Sequence, residues 1–433
     1  MWLGILGLAL LIGSMIILLK GKLSPTVTFI ILPIVAALIL GYSPIEISGF
    51  IESGVSTTTA TAVLFIFSIP FFGIMNDVGV FDPLVNKLSK ISGNSFVAVT
   101  VCTVIIATIA HLDGSSASTA LIVVPAMLPI YKKMQIRPVV LTLLIAASCG
   151  VMNLVPWGGP TMRAATVIGV DANEVWRHLI PIQVVGIILS LTLAVIMGIK
   201  EKKHTELAKA YYAKLSESDA KEEATVSREL PTWKLYANLA IILVTIGLLI
   251  WGEIALFVVF MAGLAITLLL NYSTLKEQQT ALKRQAPGVL TVVTVLLASG
   301  VLLGILEETN MLNEMGNLLL TIIPTGVGNT FDLIIGFMAG PIAVIFGTDA
   351  YFFGLLPLVA EVGVNFGVSE MSSALILLIG HNSTVLASPM TPAMFLLLGL
   401  AGVEVKDHLK FAIPWLLIMS WIFVIFGFIT GII

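Results

Sequence analysis

Five ionisable side chains fall inside stretches otherwise apolar enough to lie in a membrane: His111, Asp113, Arg163, Asp349 and His381. Charge at that depth is costly, about 2.5–3.5 kcal/mol for an arginine at a helix centre on insertion scales, and such groups usually face a substrate or ion path. Arg163 lies in NLVPWGGPTMRAAT, Asn153 to Thr166, where Pro156, Gly158, Gly159 and Pro160 forbid a continuous helix. Unwound backbone survives in a bilayer only where it is buried in protein or lines a polar cavity. Asn153, Gly158, Gly159 and Thr161 therefore become candidate binding groups beside the arginine. The planar guanidinium fork matches a carboxylate or phosphate, which favours an organic anion over a bare cation or a sugar. A second interrupted run, NSTVLASPMTP from Asn382 to Pro392, offers Asn382, Ser383, Thr384 and Ser388.

Asp113 and Asp349 each sit in a polar tip within a long apolar stretch, HLDGSSAST from His111 to Thr119 and FGTDA from Phe346 to Ala350. Gly114 and Gly347 permit tight turns there. With the hydroxyls of Ser115, Ser116 and Thr348 nearby, these carboxylates suit a hard cation or a transferable proton. The imidazoles of His111 and His381 suit a proton relay. Plainer roles compete: an aspartate can cap the helix that follows it, a buried histidine can be a satisfied core group, and the arginine can pair with a carboxylate across a proline kink. By its immediate neighbours Ala350, Tyr351 and Phe352, Asp349 has the more apolar setting. It is expected to be the better proton carrier, and Asp113 the better cation or metal-complex ligand.

The elements that must position these groups are helices. Of 433 residues, 58% are hydrophobic and 11% charged, against about 25% charged in soluble domains, so the chain reads as an all-α polytopic membrane protein. Cys102 and Cys149 lie in apolar runs and suggest packing, neither a disulfide framework nor a metal cluster. Trp2 to Leu19 has no basic residue before it and is stopped by Lys20 and Lys22, so it is expected to remain as a spanning helix. Ten spans of suitable length are predicted near 2–19, 25–42, 58–76, 137–169 (broken), 179–199, 235–251, 254–271, 287–306, 370–401 (broken) and 411–433. The stretches 92–130 and 328–362, too long for one pass and interrupted at their tips, are predicted to be re-entrant hairpins.

Lys and Arg concentrate in cytoplasmic loops. With both termini outside the cell, 20 of the 22 basic residues fall on one side, only Arg163 and Arg177 escaping. That threading sends the two hairpins in from opposite faces, as an inverted repeat requires. Pro125 and Pro357, Pro160 and Pro392, and Met162 and Met394 recur at a spacing of 232 residues. The expected organisation is a first repeat over 1–199, a cytoplasmic linker over 200–232 and a second repeat over 233–433. Inverted halves with broken helices and a midplane site are how secondary transporters are built, and both breaks and both tips should converge on one cavity.

HLDG at 111–114, VMNLVPWGGPTMRAAT at 151–166, TDAYFFGLLPLVAE at 348–361 and GVEVKDHLKF ending at 411 resemble the citrate–divalent metal:proton symporters, a family within the ion transporter superfamily. The resemblance covers nearly the whole chain, and WGGPT-x-RAAT is its most specific part. It implies import across the plasma membrane of citrate or a related di- or tricarboxylate, complexed with a divalent metal such as Mg2+ or Ca2+ and driven by protons. It further implies a homodimer with a scaffold and a mobile, elevator-like transport part. The metal belongs to the substrate, with Asp113 its candidate ligand, and no resident cofactor or nucleic-acid partner is expected. Where members of the family often carry Asp-Gly-Asp-Gly at the first tip, this chain has Asp113-Gly114-Ser115-Ser116, one carboxylate fewer. The second break, His381-Asn382-Ser383-Thr384, is closer in kind to the Ser-Asn-Thr motifs of sodium-coupled dicarboxylate carriers, so sodium coupling is the alternative. An intramembrane aspartyl hydrolase fits poorly, since neither tip has a Gly-x-Gly-Asp pattern, and no enzyme activity is expected.

The threading is tested by cysteine labelling. Cysteines at Glu307 and Asp171 should label from outside intact cells and one at Ser218 only after permeabilisation; labelling of Ser218→Cys in intact cells would reverse the orientation and exchange the faces from which the hairpins enter.

Overall fold

The computed structural model describes residues 2–19, 23–80, 83, 95–202, 231–251, 253–322 and 330–433. All regular structure among them is helical. The first half contains α1 (Trp2–Leu19), α2 (Pro25–Ile39), α3 (Pro44–Asp77), α4 (Phe96–Ala110), α5 (Ser116–Met134), α6 (Pro138–Met152), α7 (Gly159–Val167) and α8 (Ala172–Glu201). The second contains α9 (Thr232–Trp251), α10 (Leu256–Asn271), α11 (Leu275–Glu308), α12 (Met311–Ile322), α13 (Phe331–Ile345), α14 (Leu356–Asn365), α15 (Glu370–Thr384), α16 (Pro392–Ala401) and α17 (Val405–Thr430). Seven helical stretches among the described residues are long and apolar enough to cross a membrane, and the protein is a multi-pass membrane protein. The first residues of each expected hairpin, 92–94 and 328–329, and linker residues 203–230 lie outside the described residues.

Each of the ten expected spans coincides with helix, but two run much further than hydropathy indicated. α3 begins at Pro44 and not near 58, and α11 at Leu275 and not near 287. Both start at a capping box: Ser43 with Glu46, and Thr274 with Glu277, each hydroxyl accepting the N3 backbone N–H while the glutamate returns to the cap. Their polar first turns lower the hydropathy without weakening the helix. α12 was not expected at all; it is short and amphipathic, and packs on α1 and α14.

The long pair α3 and α11 reveals the symmetry. Their first residues differ by 231 in number, and so do their last. A Cβ on Gly54 would overlap backbone of Gly300 and Gly304, and one on Gly73 would overlap the Gln285 side chain. Numbering thus rises in one helix as it falls in the other. Gly73 and Gly304 occupy corresponding positions, as do Gly54 and Gln285, so the two contacts are one contact seen from either half. Corresponding helices crossing antiparallel are what a two-fold axis in the membrane plane produces. α2 packs on α11 and α10 on α3 in the same mirrored way.

Around this crossing α1, α2, α3, α9, α10 and α11 form one packed group, while α4–α8 and α13–α17 form another. The second group holds both hairpins and both broken helices. α4 packs against α6 and α8, α13 repeats this against α15 and α17, and α6 lies against α15 where Gly150 meets the Asn382 carbonyl.

Glycine usually costs a helix about 1 kcal/mol relative to alanine, so the crossing makes opposite predictions along α11. Gly288→Ala, whose Cβ would meet only Ile69 Cγ2 at 3.8 Å, should be neutral or stabilising. Gly304→Ala, which collides with the Phe50 carbonyl and the Gly54 backbone, should destabilise the purified protein by about 1–3 kcal/mol, as overpacked sites do, and so lower its unfolding midpoint. Equal midpoints for the two variants would contradict the close crossing.

Candidate functional site

The first hairpin turns through a single 3-10 turn, His111–Asp113, and Gly114 at φ 71°, a left-handed conformation that a side chain would strain. Ser115, not Asp113, caps α5 by accepting the Ser118 N–H. Asp113 Oδ1 accepts the Ser115 N–H at 2.8 Å, which fixes the carboxylate at the tip. The neighbouring break between α6 and α7 is wired to this tip. Trp157 Nε1 donates to the Leu112 carbonyl at 2.8 Å. His111 is fully buried, with Nδ1 2.7 Å from Thr119 Oγ1 and Nε2 2.9 Å from Asn153 Oδ1. Thr161 Oγ1 donates back to the Asn153 carbonyl at 3.1 Å.

The second half solves the same problem differently. α13 ends at Ile345, and after Gly347-Thr348-Asp349 the chain runs into a π-helical stretch, Ala350–Leu355, before α14; such irregular turns recur at functional sites. Asp349 caps nothing by its side chain. Its Oδ1 instead accepts from Arg163 Nε at 2.8 Å, and Arg163 Nη1 donates to the Gly159 carbonyl at 3.0 Å. This corrects the apolar setting that its sequence neighbours suggested: in space Asp349 is the arginine's ion partner. Tyr351 and Phe352 pack around the buried His381 ring, with centroids 5.1 and 4.9 Å from it. The break itself runs from α15 through a 3-10 turn at Val385–Ala387 to Thr391, the N-cap of α16.

Both tips and both breaks open onto one cavity of about 930 Å³, within the usual range for a small-molecule site. Of the residues singled out by sequence, Asp113, Ser115, Ser116, Asn153, Gly159, Arg163, Thr348 and Asp349 line it. The N-terminal residues of three helices also face it: Ser115–Ser118 of α5, Gly159 and Pro160 of α7, and Thr391–Ala393 of α16. Helix N-termini carry partial positive charge and unpaired N–H groups that favour anions. Together with Arg163, the arrangement can hold an organic anion by charge-assisted hydrogen bonds, while Asp113 and Asp349 can face a cation or take up a proton.

Other expected residues do not line the cavity. Gly158 is the N-cap of α7, pressed against the Asn153 carbonyl. Thr161 and His111 are engaged as described. Ser383 Oγ donates to the Ile379 carbonyl at 2.7 Å and Thr384 Oγ1 to the Gly340 carbonyl at 3.2 Å. Ser388 Oγ lies 3.5 Å from the Phe346 carbonyl. Asn382 is buried, with its Nδ2 lacking a partner, and His381 lies under its aromatic neighbours. These groups hold the breaks in shape from behind. No group of three or more His, Cys, Asp or Glu able to hold a metal occurs among the described residues.

Sequence reasoning missed three contributors. Trp157 lines the cavity and stacks on Phe72 of α3, centroids 5.8 Å apart. Asp77, at the mouth, accepts from Arg284 Nη1 at 3.1 Å and Gln285 Nε2 at 2.9 Å. His408 of α17 is fully buried, with Nδ1 3.0 Å from Thr142 Oγ1 and Nε2 2.9 Å from the Leu386 carbonyl, so it holds the second break as His111 holds the first. Within the sequence His408 belongs to a charged helix start, KDHLK, and only its pairing across the fold distinguishes it.

Residues 15–381 match the citrate transporter family. Over 433 residues the chain is 34% identical to the "Mg(2+)/citrate complex secondary transporter" of Bacillus subtilis (strain 168), covering 99% of each protein. It is 33% identical over 431 residues to the "Citrate transporter" of the same organism, covering 100% of this chain and 99% of that protein. Among solved structures, the Alcanivorax borkumensis YdaH transporter shares the fold, with a TM-score of 0.57 at 13% identity over 89% of this chain and 90% of that one. The match over residues 15–381 and the full-length similarity to both relatives show that the chain belongs to the citrate transporter family, whose members are transporters and not enzymes.

Proposed function

We propose that this protein is a secondary active transporter that imports citrate, or a closely related tricarboxylate, as a complex with a divalent metal such as Mg2+ and in symport with protons. The observation that carries the reading is the convergence of Arg163 and the N-termini of α5, α7 and α16 on a cavity that also contains Asp113 and Asp349. The cationic groups suit carboxylates; the aspartates suit the metal of the complex and the co-transported protons. The relatives named for citrate and for its Mg2+ complex support the same substrate.

On this reading Arg163 takes a substrate carboxylate and Ser115, Ser116, Asn153 and Thr348 orient the remaining oxygens. Asp113, whose carboxylate has no basic partner among the described residues, faces the metal. The cavity lies at the Asp77–Gln285 end of the α3–α11 crossing, which the distribution of basic residues assigns to the cytoplasm. The conformation is thus inward-facing. The group of α4–α8 and α13–α17 is the mobile part, moving against α3 and α11 to expose the site to the other side, and a homodimer assembles through the scaffold.

Two measurements test this. Arg163→Lys keeps the charge but loses the planar fork, so it should reduce citrate uptake roughly tenfold or more while leaving a folded protein; wild-type uptake by this variant would remove the arginine from the substrate site. In proteoliposomes loaded without sodium, Mg2+–citrate uptake should follow an inward proton gradient. Uptake that instead requires a sodium gradient would establish the sodium-coupled alternative.

A further inference from the structure

Arg163 has a partner within the protein: its Nε is bonded to Asp349 Oδ1 at 2.8 Å, both side chains being mostly shielded, at 13% and 21% exposure. A substrate carboxylate that takes the guanidinium side-on, through the Nε–Nη2 fork, displaces the Asp349 carboxylate from Nε, and a carboxylate left without a cation in a poorly solvated site is strongly disfavoured. A bare tricarboxylate worsens this, because the cavity lining, where Asp77 is already paired with Arg284, then sets Asp113, Asp349 and the substrate's own charges against Arg163. A bare cation fails in the reverse way, since pairing it with Asp349 abandons Arg163. A ligand with a carboxylate at one end and a bound divalent cation at the other restores both partners at once.

We propose that the Arg163–Asp349 pair is a selectivity device, exchanged on binding for an Arg163–carboxylate contact and an Asp349–metal contact, so that the carrier accepts a metal–carboxylate complex and rejects the free anion. The inference rests on the substrate reading given above and adds to it a residue that discriminates the complex. Asp113 also faces the metal, but the discriminating role falls to Asp349, because Asp113 is held at its tip by the Ser115 N–H and gives up no cation when substrate arrives. Asp77 is unsuited because its partners Arg284 and Gln285 stand at the cavity mouth, with the Arg284 side chain 53% exposed.

The test is equilibrium binding of radiolabelled citrate to the purified full-length protein, with excess Mg2+ or with EDTA, read as the ratio of the two dissociation constants. Wild type should strongly prefer the Mg2+ condition. Asp349→Asn and the smaller Asp349→Ser should each cut that ratio about tenfold or more, mainly by tightening binding in EDTA, a shift readily resolved in binding free energy. Asp349→Glu, which keeps a carboxylate, should retain the preference. The gain must depend on the freed arginine: Arg163→Gln combined with Asp349→Asn should lose the tight binding in EDTA, whereas a general charge effect would leave it. An unchanged ratio in both neutral variants, or tight binding in EDTA by the double variant, overturns the inference alone. Wild type that binds citrate in neither condition overturns the substrate reading and this inference with it.

Discussion

Backbone polar groups at membrane depth must find partners inside the protein, and an unpaired one costs several kcal/mol. The two broken helices release such groups by design of their sequence, since Pro156, Pro160 and Pro392 cannot continue the ladder. The rest of the site follows from how the released carbonyls are satisfied. Thr161 Oγ1 donates to the Asn153 carbonyl. Trp157 Nε1 donates to that of Leu112 and Thr384 Oγ1 to that of Gly340. His408 Nε2 meets the Leu386 carbonyl, and Tyr351 Oη donates to that of Ala339. The last of these bonds ties the two arms of the second hairpin together, and each of the others joins a break to a hairpin, to its own flank or to a neighbouring long helix. Solving the backbone problem therefore locks tips and breaks into one unit, and the cavity is the space this unit leaves at its centre.

That unit must be able to meet the α3–α11 pair without merging with it. The two groups differ in how they close. Within the pair, glycines bring backbones into direct contact at Gly54, Gly300 and Gly304, a contact that resists sliding. Between the groups, the contacts near the cavity are made by broad rings: Trp157 on Phe72 and Phe260, with centroids 5.8 and 5.9 Å apart. Flat apolar surfaces carry little directional preference and can be exchanged for others of the same kind, whereas interlocked backbone cannot. On the proposed reading, this difference in residue types separates a fixed crossing from a unit able to move against it.

The parts of this arrangement that were legible in sequence are those whose causes are local. Proline and glycine breaks and polar tips each state their consequence within a few residues, and so the hairpins, broken helices and Arg163 could be placed. Hydropathy failed where helix and apolarity part company: the capped polar starts of α3 and α11, and the short amphipathic α12. The setting of Asp349 was misjudged for a related reason. Its neighbours in sequence are Ala350, Tyr351 and Phe352, but its partner, Arg163, is 186 residues away, and no periodicity or spacing reports a contact of that range. The hydroxyls of Ser383 and Thr384 were similarly ambiguous, since a serine or threonine in a broken helix serves the backbone as readily as it serves a ligand.

The same long-range contact bears on how a carrier of this build returns empty. An unpaired arginine within a shielded site would oppose any movement that reduces its hydration, because a buried charge without a partner is strongly destabilising, by about 3–5 kcal/mol when one member of a pair is removed. With Asp349 bonded to Arg163, the protein supplies that compensation from its own side chains. With a metal–carboxylate complex bound, both residues are compensated by the substrate. The half-loaded states, anion without metal or metal without anion, are the ones that leave a charge exposed to low dielectric. On the proposed reading, a single ion pair across the two repeats makes the substrate-free and the fully loaded forms the ones able to move, which is the condition for carrying metal and carboxylate together without leakage of either.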